Sequence, residues 1–164
     1  LRSYQGHHTL NFGATFEGWN ADAAWTVGVG KISRVAQKLI KTTERALYLG
    51  INEAVPGKNL GDIGYAISRA VGRAGFKIVE GLTGHGIGKK LHEEPSVYNE
   101  GDRGKGMKLM VGMALAIEPM VSAGSPKIIQ RRDDSFAIAD GSLSSHFEHT
   151  IIITSKGPEI ATLI

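Results

Sequence analysis

Residues 83–95 read Thr83-Gly84-His85-Gly86-Ile87-Gly88-Lys89-Lys90-Leu91-His92-Glu93-Glu94-Pro95. Glycine on both sides of His85 removes side-chain bulk, so a ligand, a metal ion or a second backbone can approach closely. A glycine-rich turn carrying two surface histidines is the bland alternative. The run is not a phosphate-binding loop, because it lacks the lysine–hydroxyl pair and the strand–loop–helix setting that such loops need.

Working outward, two carboxylates stand where carboxylates are out of place. Glu118 lies in Ala114-Leu-Ala-Ile-Glu-Pro-Met120, and Glu148 in His146-Phe-Glu-His-Thr-Ile-Ile-Ile153. A carboxylate on a buried strand must be paired, hydrogen-bonded or bound to a cation. Asp22 is a third, polar between Trp19 and Trp25. Asp22, His85, Glu118 and Glu148 form an oxygen-rich set with one imidazole. Such a set suits Mn²⁺, Fe²⁺, Co²⁺ or Zn²⁺. A divalent ion in that setting generates hydroxide near neutral pH, so metal-assisted hydrolysis is the leading reaction class.

Between these residues the periodicity predicts an α+β chain. Leu10, Phe12, Ala14 and Phe16 alternate with Asn11, Gly13 and Thr15, a strand pattern. A turn is expected over Gly18–Ala21 and a second, antiparallel strand over Ala24–Val29. The spacing predicts a helix over Ser33–Val55, capped by Ser33, with Val35, Leu39, Thr42, Ala46, Leu49 and Ala54 on its apolar face. A second helix is expected over Leu60–Ala74, stopped by Gly75. Further strands are expected at Phe76–Val79, within Lys108–Val121, and over Glu159–Ile164. Ser135–Ala139 and Phe147–Thr154 read as a last pair, with Gly141-Ser142 between them. Helices flanked by antiparallel strands suggest helices packed on one face of a curved sheet.

Composition narrows the classes. The 164 residues suit one domain over 1–164, and 41% hydrophobic with 21% charged residues suits a globular chain. There is no cysteine, which excludes thiolate metal sites, thiol catalysis and disulfide scaffolds. The net charge of +3 is scattered, too weak for a nucleic-acid-binding stripe. No apolar run approaches bilayer-spanning length, and a cytoplasmic setting is expected.

Three separated blocks, TGHGIGKKLHEEP, ALAIEPM and HFEHTIIIT, together with Asn20-Ala-Asp22-Ala-Ala24, resemble the signature stretches of type I methionine aminopeptidases in the same order. The resemblance implies the pita-bread fold, a curved antiparallel sheet with helices on its outer face around one or two divalent ions (Co, Mn, Fe or Zn). It implies that Asp22 and Glu148 bridge the metals and that His85 ligates one. Glu118 would be a ligand that also moves a proton, and His92 would stabilise the oxyanion of the substrate carbonyl. Tyr4, Leu91 and Phe136 would line the methionine pocket. The implied reaction is hydrolytic removal of N-terminal methionine from peptides and nascent proteins, which admits a ribosome as a neighbour. The alternatives are an impaired domain that binds a peptide or partner, and a proline-specific aminopeptidase of the same fold.

Three departures from that pattern carry expectations of their own. Asn11 stands where the family has an aspartate, so it is a weak or lost ligand and one of two ions is expected to bind poorly. The family carries a further segment ahead of Asn11, so the fold is expected to be incomplete there, exposing the Leu10–Glu17 edge to homodimer formation. His146 stands where glutamine is usual, and Leu91 where an aromatic residue is common.

Overall fold

A computed structural model of the chain describes residues 6–163; Tyr4 lies outside the described residues. The chain opens with a long hairpin, β1 (Gly6–Phe16) and β2 (Trp19–Val29), in antiparallel register from Phe16↔Trp19 to Gly6↔Val29. Its turn is only Glu17-Gly18, with φ of 49° and 75°. Positive φ at both central positions gives the hairpin turn that matches strand twist, which explains the glycine. The turn expected over Gly18–Ala21 is therefore corrected to a tighter one. As a result Asp22 belongs to β2 itself rather than following a turn. β1 is an edge of its sheet and leaves Leu10, Phe12 and Phe16 exposed.

Two helices follow, α1 (Arg34–Glu53) and α2 (Leu60–Arg73). Ser33 caps α1, its hydroxyl accepting from Ala36 N at 3.1 Å. Asp62 caps α2 by accepting from Asn59 N at 2.9 Å, and Gly75 ends the segment with φ +82°. The stripe buried by α1 is Ala36, Leu39, Thr43, Ala46, Leu47, Gly50 and Ile51. It is rotated from the expected one: Val35 is exposed and Thr42 and Leu49 are half-buried. Gly50 explains the rotation, because a Cβ there would lie 2.8 Å from Ile67, so the helices close over that glycine.

The remaining strands are β3 (Lys77–Ile78), β4 (Gly84–Gly86), β5 (Glu93–Val97), β6 (Ala114–Ile117), β7 (Met120–Ser122), β8 (Ile128–Gln130), β9 (Phe136–Ile138), β10 (Ser144–His146), β11 (Glu148–Thr154) and β12 (Gly157–Ile160). The main sheet is antiparallel in the order β1-β2-β11-β6-β4-β5, with β12 also pairing β11. β10-β7-β3 form a smaller sheet and β8-β9 a ribbon. Ser135–Ala139 and Phe147–Thr154 do not pair with each other as expected. β9 turns back on β8, whereas β11 is taken up at the centre of the main sheet between β2 and β6.

The main sheet has two different faces. Leu115 and Ile117 of β6 and Ile151 and Ile153 of β11 pack with Leu39, Leu47, Ile51, Ile63 and Ile67 of the helices. His149 also points to this side, edge-on to Trp25 at 4.9 Å and with Nδ1 2.8 Å from Thr162 Oγ1. Burial holds its pKa below the ordinary value. Period-2 alternation then sends Glu148, Thr150, Ala116, His85 and Asp22 to the opposite face. The concave side carries the polar set.

Candidate metal centre

The strand register lays the concave face out as rows across the sheet. One row runs Gly13–Asp22 between β1 and β2, and then Thr150–Ala116–His85 across β11, β6 and β4. The neighbouring row runs Asn11–Ala24–Glu148. Glu118 follows directly on Ile117, the partner of His149, and so comes beside Glu148. Pro119 then breaks the strand, and the buried Asn99 Nδ2 donates to the Glu118 carbonyl at 3.0 Å, holding the turn-out.

Donor atoms converge in two groups that share Glu148. Asp22, His85 and Glu148 offer ligand atoms within 4.8 Å of one another, and so do Glu118, His146 and Glu148. His85 Nδ1 lies 2.9 Å from the Gly86 carbonyl. A carbonyl only accepts, so Nδ1 donates to it, and Nε2, 3.4 Å from Glu118 Oε1, is the ring nitrogen placed to serve as a ligand. Asp22 is held through its backbone: the Thr150 hydroxyl accepts from Asp22 N at 2.8 Å and donates to Asp22 O at 2.9 Å.

The group's electrostatics ask for a cation. Glu148 is 1% exposed, and its Oε1 has no hydrogen-bond partner among the described residues. Burial, reinforced by the charges of Glu118 and Asp22, pushes its pKa from 4.5 up to about 9. A buried oxygen without a donor, facing two further carboxylates and an imidazole, fits a divalent ion.

The glycines around His85 serve backbone approach. A Cβ on Gly84 would lie 2.3 Å from Ala116 O, and one on Gly86 would lie 2.2 Å from Glu94 O. The stretch is a three-residue strand rather than a turn. His92 sits at the rim, its ring 4.3 Å from that of His85 and inclined by 61°. Beside them an open cleft is lined by Thr83, Lys90, Glu93 and Ser96. Leu91 lies over β1, where a Cβ on Gly13 would be 3.5 Å from its Cδ1. Asn11 shares the concave side with Asp22 but is exposed and separated from Glu148 by Ala24. Phe136 is 53% exposed on the β8–β9 ribbon, whose strands pair with each other.

Several residues that build the site were not singled out from sequence. Thr150 could have been, since it lies two residues beyond Glu148 and so shares its face. Thr26, which holds His146, and Asn99 carry no sequence signal. Thr150→Val keeps the shape but leaves the buried Asp22 N–H and C=O unpaired. It should destabilise the fold by about 2 kcal/mol, read as a lower urea midpoint with unchanged slope.

A curved antiparallel sheet backed by two helices, with three carboxylates and histidines converging on its concave face, is the pita-bread fold with a candidate divalent-metal site. The chain belongs to metallopeptidase family M24, which it matches over residues 6–155. It is 47% identical over 158 residues to a methionine aminopeptidase of Clostridium perfringens, covering 95% of this chain and 63% of that protein. It is similar in structure to methionine aminopeptidase from Thermotoga maritima (TM-score 0.92, 40% identity, 95% of this chain and 63% of that one). The enzyme from Rickettsia prowazekii is comparably similar (TM-score 0.93, 38% identity, 96% and 64%). The chain thus spans somewhat less than two thirds of the length of these relatives.

Proposed function

We propose that the chain carries the metal centre of an aminopeptidase that removes N-terminal methionine from peptides and nascent proteins, acting in the cytoplasm. The observation that carries this reading is Glu148, a buried carboxylate with an unpartnered oxygen at the meeting point of two donor groups. The 40–47% identity to proteins named methionine aminopeptidase favours methionine over other N-terminal residues.

In this reading Glu148, common to both donor groups, would hold both ions, and Asp22 and His85 Nε2 would complete the site of one of them. What a divalent ion supplies when bound there is Lewis acidity and hydroxide at neutral pH. Glu118, with one oxygen toward His85 and the other toward His146, takes the proton of the attacking water and returns it to the leaving amine. His92, free at the rim, donates to the substrate oxygen as negative charge develops on it. Leu91 lines the side-chain pocket with its exposed methyls.

A Met-Ala-Ser peptide should be cleaved after Met when Co²⁺ or Mn²⁺ is added, and cleavage should cease with a chelator. An Ala-Pro peptide should be left intact. No cleavage with any divalent ion would favour a peptide-binding module, and preferential cleavage of Ala-Pro would favour a proline-specific enzyme.

A further inference from the structure

In the sequence His146 is only a departure from a usual glutamine, with no metal role. The structure places its Nε2 3.3 Å from Glu118 Oε2 and within the same 4.8 Å group as Glu148. That nitrogen is buried and has no aligned hydrogen-bond partner among the described residues. Its side chain is only 14% exposed. A buried imidazole nitrogen beside two carboxylates, with no aligned hydrogen bond, is placed where a cation between the three groups would satisfy all of them.

The backbone is built to hold it there. The Thr26 hydroxyl accepts from His146 N at 2.9 Å and donates to His146 O at 2.9 Å. Thr9 Oγ1 lies 2.8 Å from the same hydroxyl and completes its bonding. This repeats, on the far side of the Ala24–Glu148 pair, what Thr150 does for Asp22. In one antiparallel register, Asp22 and His146 occupy equivalent positions on either side of Glu148, each clamped by a threonine of the facing strand. Asp22 and His146 thus flank Glu148, and Glu118 lies between the two imidazoles, one oxygen toward His85 and the other toward His146.

We propose that His146 is a ligand for a second divalent ion, which it holds through Nε2 together with Glu118 and Glu148. This makes up for the carboxylate missing at the exposed Asn11. The proposal rests on the metal-centre reading above and replaces the expectation of a weak second ion. An imidazole with two carboxylates is a donor set suited to Co²⁺, Fe²⁺ or Zn²⁺.

Co²⁺ titration followed by calorimetry and by paramagnetically shifted imidazole N–H resonances tests it. The unmodified chain should bind two ions and show two shifted ring N–H signals, from His85 and His146. His146→Gln should keep the first ion and one signal while weakening the second ion at least about 100-fold, since even outer-shell partners are worth 10–100-fold. Adding Asn11→Asp to that variant should restore the second ion without restoring the second signal. The proposal is overturned by a single shifted signal in the unmodified chain, or by two ions of unchanged affinity in His146→Gln. Because the first of these is read on the unmodified chain, a poorly folded variant does not blunt the test. Failure to bind any Co²⁺ would sink the metal-centre reading as well; retention of the first ion alone would sink only this one.

Discussion

Glu148→Gln should abolish divalent-ion binding and peptide cleavage while making the chelator-treated protein more stable at alkaline pH. The two effects have one origin. Glu148 is shared by both donor groups, so the substitution removes a ligand from each. A catalyst losing several kcal/mol of metal-derived stabilisation slows by about a thousandfold or more. Without an ion, the same carboxylate is a liability. Its pKa is about 9 in the folded chain against an ordinary 4.5, so between those pH values the folded state holds a proton that the unfolded state has released. The folded state binds more protons, and stability therefore falls as pH rises from 4.5 toward 9. At pH 8 the cost is on the order of several kcal/mol, and neutral glutamine escapes it. Thermal melts of both forms in chelator from pH 5 to 9 should show the midpoint falling for Glu148 and nearly flat for Gln. A parallel fall in both forms would place the alkaline instability elsewhere.

Gly86→Ala should be among the most damaging single substitutions in the chain, although it adds one methyl group. That methyl would lie 2.2 Å from Glu94 O and 2.7 Å from Glu94 C, both backbone atoms that cannot swing aside. β4 would be forced away from β5, and His85 would move with it. A cost of about 3 kcal/mol or more is expected, at the upper end for overpacking, together with loss of ion binding. Gly72→Ala is the matched control. Gly72 lies in α2, is exposed, and a Cβ there meets nothing within 4 Å. It should stabilise by about 0.5–1 kcal/mol, the helix-propensity difference. Denaturation of the two variants side by side isolates crowding from glycine flexibility. Equal effects would refute the account of why β4 is built from glycine.

These predictions depend on features of very uneven legibility in the sequence. Helix α1 was readable because Ser33 supplies a cap and the apolar residues recur at helical spacing. Which stripe is buried was not, since Gly50 sets it through contact with Ile67 of another helix. β4 has too few residues for alternation, and its glycines resemble a turn until Ala116 and Glu94 are seen against them. The concave-face carboxylates stood out because a charge inside an apolar strand demands an explanation. His146 did not, because its meaning lies in a threonine 120 residues away that pins its backbone. Phe136 sits on the β8–β9 ribbon, outside the strand order of the main sheet, where alternation in the sequence carries no signal for the cleft.

The most direct test of the central claim is anomalous scattering from crystals soaked in Co²⁺ or Mn²⁺. The predicted result is density between Asp22, His85 and Glu148, and a second peak between Glu148, Glu118 and His146. Crystals that take up the metal elsewhere on the surface, with none within bonding distance of Glu148, would contradict it.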